Sequence, residues 1–327
     1  EIILTTSGTS DFSSGCVFDI SMLLCNANKH ADVVGMSAKD MILINLPLFY
    51  SYAFVAQALA AYVTGASLCI SSPPFSCSRY LNDIDKYQVT HSSMTPLLVK
   101  ELLSQNVSLP NSLRAFTIGG DTLDNKYTLQ ILKNFPRQEI YLTYGITEAG
   151  PRVSTLAAHL AKHEKLSSVG LPLPGTEVKL SSETGELLIH SDTILKRRLG
   201  PASKPLFEMN ETKSWLKTGD IFTIDEDGYL FFQRRISDFV VMRGEKINLA
   251  AIKNFATAQN DVISAKINLI KDNNDLVAYD LNILIQQNSA DNLDKMKSVI
   301  SKGLKVYERP RNIIITKFGE SEIERYK

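Results

Sequence analysis

In the first half of the chain, apolar residues fall into short runs separated by longer stretches where they recur every three or four positions. Ile2–Thr6, Met41–Pro47, Ala66–Ser71, Arg114–Ile118 and Ile140–Tyr144 are brief, apolar and set off by Gly, Pro or Ser. That is the pattern of strands buried on both faces. Between them Ser51–Thr64, Pro96–Ser104 and Asp121–Phe135 carry helical spacing, with Leu97, Leu98, Leu102 and Leu103 sharing one face of the second. Strands alternating with helices predict an α/β fold, a mainly parallel sheet with flanking helices whose ligands sit beyond the strands' carboxyl ends.

After Arg152 the pattern changes. Leu156–Leu166 reads as a helix. From Val169 to Phe232, short strand-like pieces alternate with turn chemistry at Pro172, Pro174-Gly175, Thr184-Gly185 and Asp227-Gly228. They predict a β-rich subdomain over about residues 167–236. Asp227-Gly228, between Ile224 and Tyr229–Phe232, predicts a hairpin turn. From Ser237 onward, strands near Ile263–Ile270 and Val277–Ile285, a helix near Asn292–Leu304 and a strand at Asn312–Thr316 predict a small α+β domain. The expected organisation is a large domain over residues 1–236 and a small mobile one over 237–327.

Composition narrows the function classes. The 327 residues include 35 Lys plus Arg and 35 Asp plus Glu, for zero net charge, with 44% apolar and 21% charged residues. A chain this apolar is not disordered. Zero net charge removes the general electrostatic case for nucleic-acid binding. No apolar run reaches the roughly 18 residues of a membrane span. Cys16, Cys25, Cys69 and Cys77 form no CxxC pair and meet no zinc-type histidine spacing. They read as thiols of a reducing cytoplasm. The opening Glu-Ile-Ile-Leu lacks both a signal peptide's basic start and an initiator Met, and reads as a cut.

Three segments could carry chemistry. Thr5–Gly15, directly after a strand, is rich in hydroxyls and glycines, so its backbone N–H groups could cradle an anion. The bland alternative is a polar turn. Tyr144-Gly145-Ile146-Thr147-Glu148-Ala149-Gly150 ends a predicted strand. It offers a ring to stack on a base, a hydroxyl for a phosphate and a carboxylate for Mg²⁺. Lys217-Thr218-Gly219-Asp220 puts a carboxylate beside a glycine, suited to ribose hydroxyls, but alone is little more than a turn signal.

Taken in order, these segments resemble the adenylate-forming superfamily of acyl- and aryl-CoA synthetases, nonribosomal peptide synthetase adenylation domains and firefly luciferase. Leu46–Phe49, Gly119–Leu123, Ser168–Gly175, Gly185–Leu187, Asp225–Tyr229, Arg243–Asn248 and Tyr307–Pro310 extend the resemblance along essentially the whole chain.

The resemblance implies activation of a small carboxylic acid with MgATP as an acyl-adenylate. The acyl group then passes to a thiol of CoA or of a carrier-protein phosphopantetheine. By position, Tyr144 and Gly145 would meet adenine, with Gly119, Gly120 and Asp121 lining the base site. Thr147 would contact the α-phosphate and Glu148 the Mg²⁺. Asp220 and Arg235 would hold the ribose, and Thr6, Ser7, Gly8, Thr9 and Ser10 would face the outer phosphates. Ser237 and Asp238 would form an interdomain hinge. Tyr50, Phe54 and Ile146 are candidate acyl-pocket residues, with burial in the core as the alternative. Tyr50 stands where amino-acid-activating members place an Asp, which favours an acyl or aryl acid.

The sequence also departs from the family. Asp11 stands where a Gly is expected and Ser14 where a Lys is expected. Near the C-terminus, Arg325 fits best at the catalytic Lys position, with Glu322 or Lys327 there in a slipped register. A second function therefore stands beside the first: a degenerate adenylation fold that binds nucleotide, acyl-adenylate or carrier protein without activating an acid. A third is thiolation of a preformed adenylate. Family members also carry a subdomain before the phosphate loop. Its absence here predicts uncovered apolar surface on the opening strands and a partner chain to cover it.

Overall fold

The computed structural model describes all residues except 6–13, 73–74, 201–205, 210–212, 243, 273–274, 287–292 and 318–327. Its described residues divide into two compact units, Glu1–Gln233 and Arg234–Lys317.

The first unit is built on a seven-stranded sheet. In spatial order its strands are Ser67–Ile70, Met41–Ile44, His91–Met94, Ala115–Ile118, Glu139–Tyr144, Ser154–Ala157 and Leu171–Pro172. The first five run parallel; Ser154–Ala157 pairs antiparallel with the fifth, and Leu171–Pro172 pairs antiparallel with Ser154–Ala157. Strand alternation sends successive side chains to opposite faces. Phe116, Ile118, Ile140 and Leu142 join one apolar core, while Ala115 and Tyr141 join another. The expected α/β architecture, parallel sheet with flanking helices, is the architecture observed.

Helix starts follow local capping chemistry. The Thr95 hydroxyl accepts from Leu98 N ahead of Pro96–Ser104, with Pro96 in the first turn. Asp124 accepts from Lys126 N ahead of Asn125–Asn134, so the predicted Asp121 start is four residues early. Ser51–Thr64 is helical as expected, with π-helical turns over Phe54–Leu59.

Two readings need correction. Leu156–Leu166 is not a helix. Ser154–Ala157 is a strand on the edge of Glu139–Tyr144, and only His163–Lys165 makes a helical turn. Apolar spacing suited a helix there, but an open sheet edge satisfies the backbone, and Leu160 stays largely exposed. The Lys217–Asp220 segment is not a turn either. It lies inside the strand Ser214–Ile224, at an irregularity in its pairing with Glu186–His190, with Gly219 at φ +74°. The third strand of the large sheet, His91–Met94, escaped the apolar pattern because its His and two Ser are polar, yet all four residues are buried.

A smaller antiparallel sheet holds Ile2–Thr5, Gly15–Phe18 and Arg197–Leu199. The β-rich part is a five-stranded sheet of Glu177–Leu180, Glu186–His190, Phe207–Met209, Ser214–Ile224 and Leu230–Arg235. The predicted turn at Asp227-Gly228 is present, with Asp225 accepting from the N–H groups of Asp227 and Tyr229. The second unit is α+β. The antiparallel pair Val262–Asp272 and Asp275–Ile285 is joined in parallel by Asn312–Lys317, with helices Leu249–Thr257 and Leu293–Gly303. Its core includes Ile247, Ile252, Tyr279, Leu281, Ile283 and Ile300. Among the described residues no helix is long and apolar enough to cross a membrane.

Candidate active site

Three loops leave carboxyl ends of parallel strands. Leu46–Tyr50 follows Met41–Ile44, Gly119–Asp121 follows Ala115–Ile118, and Gly145–Glu148 follows Glu139–Tyr144. This is where doubly wound sheets place ligands.

Tyr144 ends its strand with its ring edge-on to Phe222, centroids 4.8 Å apart, and its hydroxyl donates to Asp220 Oδ2 at 2.8 Å. Two residues singled out separately, 76 positions apart, thus meet directly. Asp220 is held in turn by its strand. Its N–H donates to Thr218 Oγ1, Thr218 Oγ1 donates to Leu187 O, and Gly219 N donates to buried Glu186. Thr147 and Glu148 occupy one helical turn. The Thr147 hydroxyl lies 3.0 Å from that of Ser51, and Glu148 Oε1 is 2.5 Å from Arg198 Nη2.

Close approach explains two glycines. A Cβ on Gly119 would lie 2.4 Å from Thr143 Oγ1, and one on Gly145 would lie 1.7 Å from Pro151 O. Behind Gly119 sits Arg152, only 3% exposed. Its guanidinium carbon lies 4.1 Å from the Tyr52 ring centroid, and Nη1 donates to Thr143 Oγ1 at 2.6 Å. Thr143 donates onward to Ile118 O. Tyr52, Thr117 and Ser93 continue the buried polar chain at 2.8 Å each. Burial pulls the Arg152 guanidinium down from its ordinary value. The backbone of Arg152 is clamped by Asn26 of helix Ile20–Val33. Its N–H donates to Asn26 Oδ1 at 2.9 Å and its carbonyl accepts from Asn26 Nδ2 at 2.8 Å. That clamp fixes the loop leaving Glu148.

The remaining expected residues are placed as follows. Gly120 adopts φ +91°, and exposed Asp121 accepts from Thr122 N. Tyr50 packs against one core of the first unit, and Phe54 and Ile146 pack against the other, each half-buried. Arg235, Ser237 and Asp238 belong to the second unit, where Asp238 accepts from Arg235 N at 2.7 Å and closes a tight turn. Thr6, Ser7, Gly8, Thr9, Ser10 and Arg325 lie outside the described residues.

A lone carboxylate such as Glu148 could hold a magnesium ion only where a ligand's phosphates supply further oxygens. Among the described residues no cluster of three His, Cys, Asp or Glu could hold a metal by itself. Sequence reasoning missed Asn26, Ser51, Arg152 and Arg198. The run Lys196-Arg197-Arg198 was the one available signal, and nothing in the chain's pattern pointed to Asn26.

The profile of the AMP-binding enzyme family matches residues 2–197. A 2-succinylbenzoate–CoA ligase of Bacillus pumilus is 29% identical over 279 residues, covering 83% of this chain and 56% of the relative. A mitochondrial medium-chain acyl-CoA ligase of Rattus norvegicus is 26% identical over 284 residues, covering 82% of this chain and 46% of the relative. The chain thus spans about half the length of these relatives. An o-succinylbenzoate CoA synthetase of Bacillus subtilis, solved with its acyl-adenylate intermediate, superposes with TM-score 0.74 at 24% identity. The superposition covers 96% of this chain and 65% of that one, and shows a shared fold. With the family profile spanning more than half its length, the chain belongs to the AMP-binding enzymes of the adenylate-forming superfamily.

Proposed function

We propose that this chain activates an acyl or aryl carboxylic acid with ATP and transfers the acyl group to the thiol of CoA. The carrying observation is the cluster at the strand ends: Tyr144 bonded to Asp220, and Thr147 and Glu148 on the adjoining turn. In this reading the substrate carboxylate attacks the α-phosphorus, and the bond to pyrophosphate breaks. The thiol then attacks the acyl carbonyl, and AMP leaves. No side chain need act as nucleophile; the work is positioning and charge neutralisation. Tyr144 and Asp220 would orient the nucleoside, Gly119, Gly120 and Asp121 would line the base site, and Thr147 would donate to the α-phosphate. Magnesium, when bound, supplies charge neutralisation on the phosphate oxygens, and Glu148 would hold it. Arg235 would support the ribose, Arg325 would supply the adenylation charge, and Ser237 and Asp238 would form a hinge. The named activities of the relatives favour CoA over a carrier protein. Tyr50, Phe54 and Ile146 would line an acyl or aryl pocket. Exposed Ile3, Leu68 and Ile70 support a partner segment or chain that covers them.

Carboxylate-dependent ATP–pyrophosphate exchange tests the reading, with 2-succinylbenzoate, medium-chain fatty acids, aryl acids and α-amino acids as the panel. Exchange with an acyl or aryl acid and none with amino acids is expected. A second reading is favoured by Asp11 and Ser14: a fold that binds nucleotide or adenylate without activating an acid. ATP binding by calorimetry with no exchange across the panel would establish that reading and end the first.

A further inference from the structure

We infer that Arg198 is the phosphate-site cation of this chain, partnering Glu148 when the site is empty and a nucleotide phosphate when a metal takes that carboxylate. This rests on the nucleotide-binding reading above.

The placement follows from strand geometry. Arg197–Leu199 pairs antiparallel with Gly15–Phe18, with Arg198 opposite Cys16 and Leu199 opposite Gly15. The strand Gly15–Phe18 also pairs antiparallel with Ile2–Thr5, with Thr5 opposite Gly15. Arg198 is thus anchored beside the base of the Ser/Thr/Gly segment. Alternation then separates the two arginines of the strand. Arg197 donates two bonds of 3.0 Å to Glu1, while Arg198, facing the other way, reaches Glu148. Lys196, just before the strand, lies 3.1 Å from Asp19.

Charge supplies the reason. Thr6–Gly15 contains no Lys or Arg and one Asp, so the segment by its sequence supplies no positive side chain to a phosphate. Arg198 is the basic residue on the adjoining strand that faces the site. Its side chain is 27% exposed and that of Glu148 16%, so the pair is partly desolvated but still within reach of a ligand. The Arg198 Nε is buried without a hydrogen-bond partner, so the guanidinium has donor capacity beyond its bond to Glu148. A planar fork with spare donors is the group best matched to phosphate oxygens. A carboxylate that must bind a metal later needs a counter-ion before, because an unpaired charge is costly once partly buried. One arginine would then serve both states, paired with Glu148 in one and with phosphate in the other.

Calorimetry on the whole chain tests this with ATP and AMP, each in magnesium and in EDTA. Arg198→Met is expected to weaken MgATP binding at least about tenfold and AMP binding less than about threefold, because AMP lacks the outer phosphates. Glu148→Gln frees Arg198, so ATP in EDTA should bind about threefold or more tighter than to wild type. That gain should vanish in Arg198→Met/Glu148→Gln. Arg198→Gln gives the same comparison if the Met variant does not fold. Unchanged MgATP affinity in the Arg198 variants overturns the inference, as does a tighter one, which would make Arg198 a plug on the metal site. A wild-type chain that binds MgATP normally while its Arg198 variants are unaffected sinks this inference alone. A folded wild-type chain that binds neither nucleotide sinks the nucleotide reading and this inference with it.

Discussion

Two arginines beside the same turn live in different company. Arg152 follows the Thr147–Ala149 turn and is buried against neutral groups, the Tyr52 ring and the Thr143 hydroxyl, with no ion pair among the described residues. Arg198 comes from a distant strand to the same turn and pairs with Glu148 at 2.5 Å. His30 and His91 of the same unit are likewise fully buried, with all ring nitrogens unbonded. A cation held by an aromatic face and a hydroxyl has no alternative partner to exchange with, so it fixes a wall. In the reading proposed above, a cation on a carboxylate would be released when the carboxylate takes a metal, and the contrast would separate scaffold from site.

The largest effect that breaks this comparison is Arg152→Ala. It removes the packing on Tyr52 and leaves Thr143 without its donor, so a loss on the order of 3 kcal/mol is expected in denaturant unfolding. Stability indistinguishable from wild type would show that Arg152 is not a structural wall. A second measurement sharpens the comparison through pH. Burial, aided by the charges of Arg152 and His91, keeps the His30 imidazole well below its ordinary 6.5. Burial and Arg114 drive His91 to about 3 against the opposing charge of Asp40. Both stay neutral in the fold while the unfolded chain protonates them near 6.5. The unfolded state therefore gains protons first, and stability complete above that pH is lost as pH falls from there toward the folded values. The loss is at most about 1.4 kcal/mol per histidine per pH unit, read as a falling melting temperature from about pH 7 to about pH 5. His91→Leu should flatten that slope, and a wild-type profile already flat over the window would refute the account. The smallest effect is expected one residue from Arg198. Arg197 is an exposed partner of Glu1, so Arg197→Ala should leave both melting temperature and nucleotide affinity unchanged. A loss of nucleotide affinity there equal to that of Arg198→Met would show a general charge effect, not a directed one.

Much of the fold was readable because buried parallel strands have little freedom in composition. Ala115–Ile118 and Glu139–Tyr144 are apolar runs between breakers, and they lie in the sheet within a residue of where the pattern places them. His91–Met94 was not readable. Its seryl and histidyl side chains are buried by neighbours on both sides, and one of them, Ser93, bonds to Thr117 of the next strand. The Leu156–Leu166 pattern misled because spacing records which residues can share a face, not whether a sheet edge is open beside them.

The site divides along the same line. Tyr144, Thr147 and Glu148 lie within five positions, so the sequence alone determined that they share one strand end, and order along the chain tied them to Asp220. Family membership followed from that order. The partners of those side chains were decided in three dimensions. Asp220 accepts the Tyr144 hydroxyl, Ser51 meets Thr147, Asn26 clamps the loop beyond Glu148, and Arg198 takes Glu148 itself. Local spacing sets which residues are neighbours on one strand or one turn. A partner 50 or 126 positions away is set by strand register and helix packing, which no local pattern encodes.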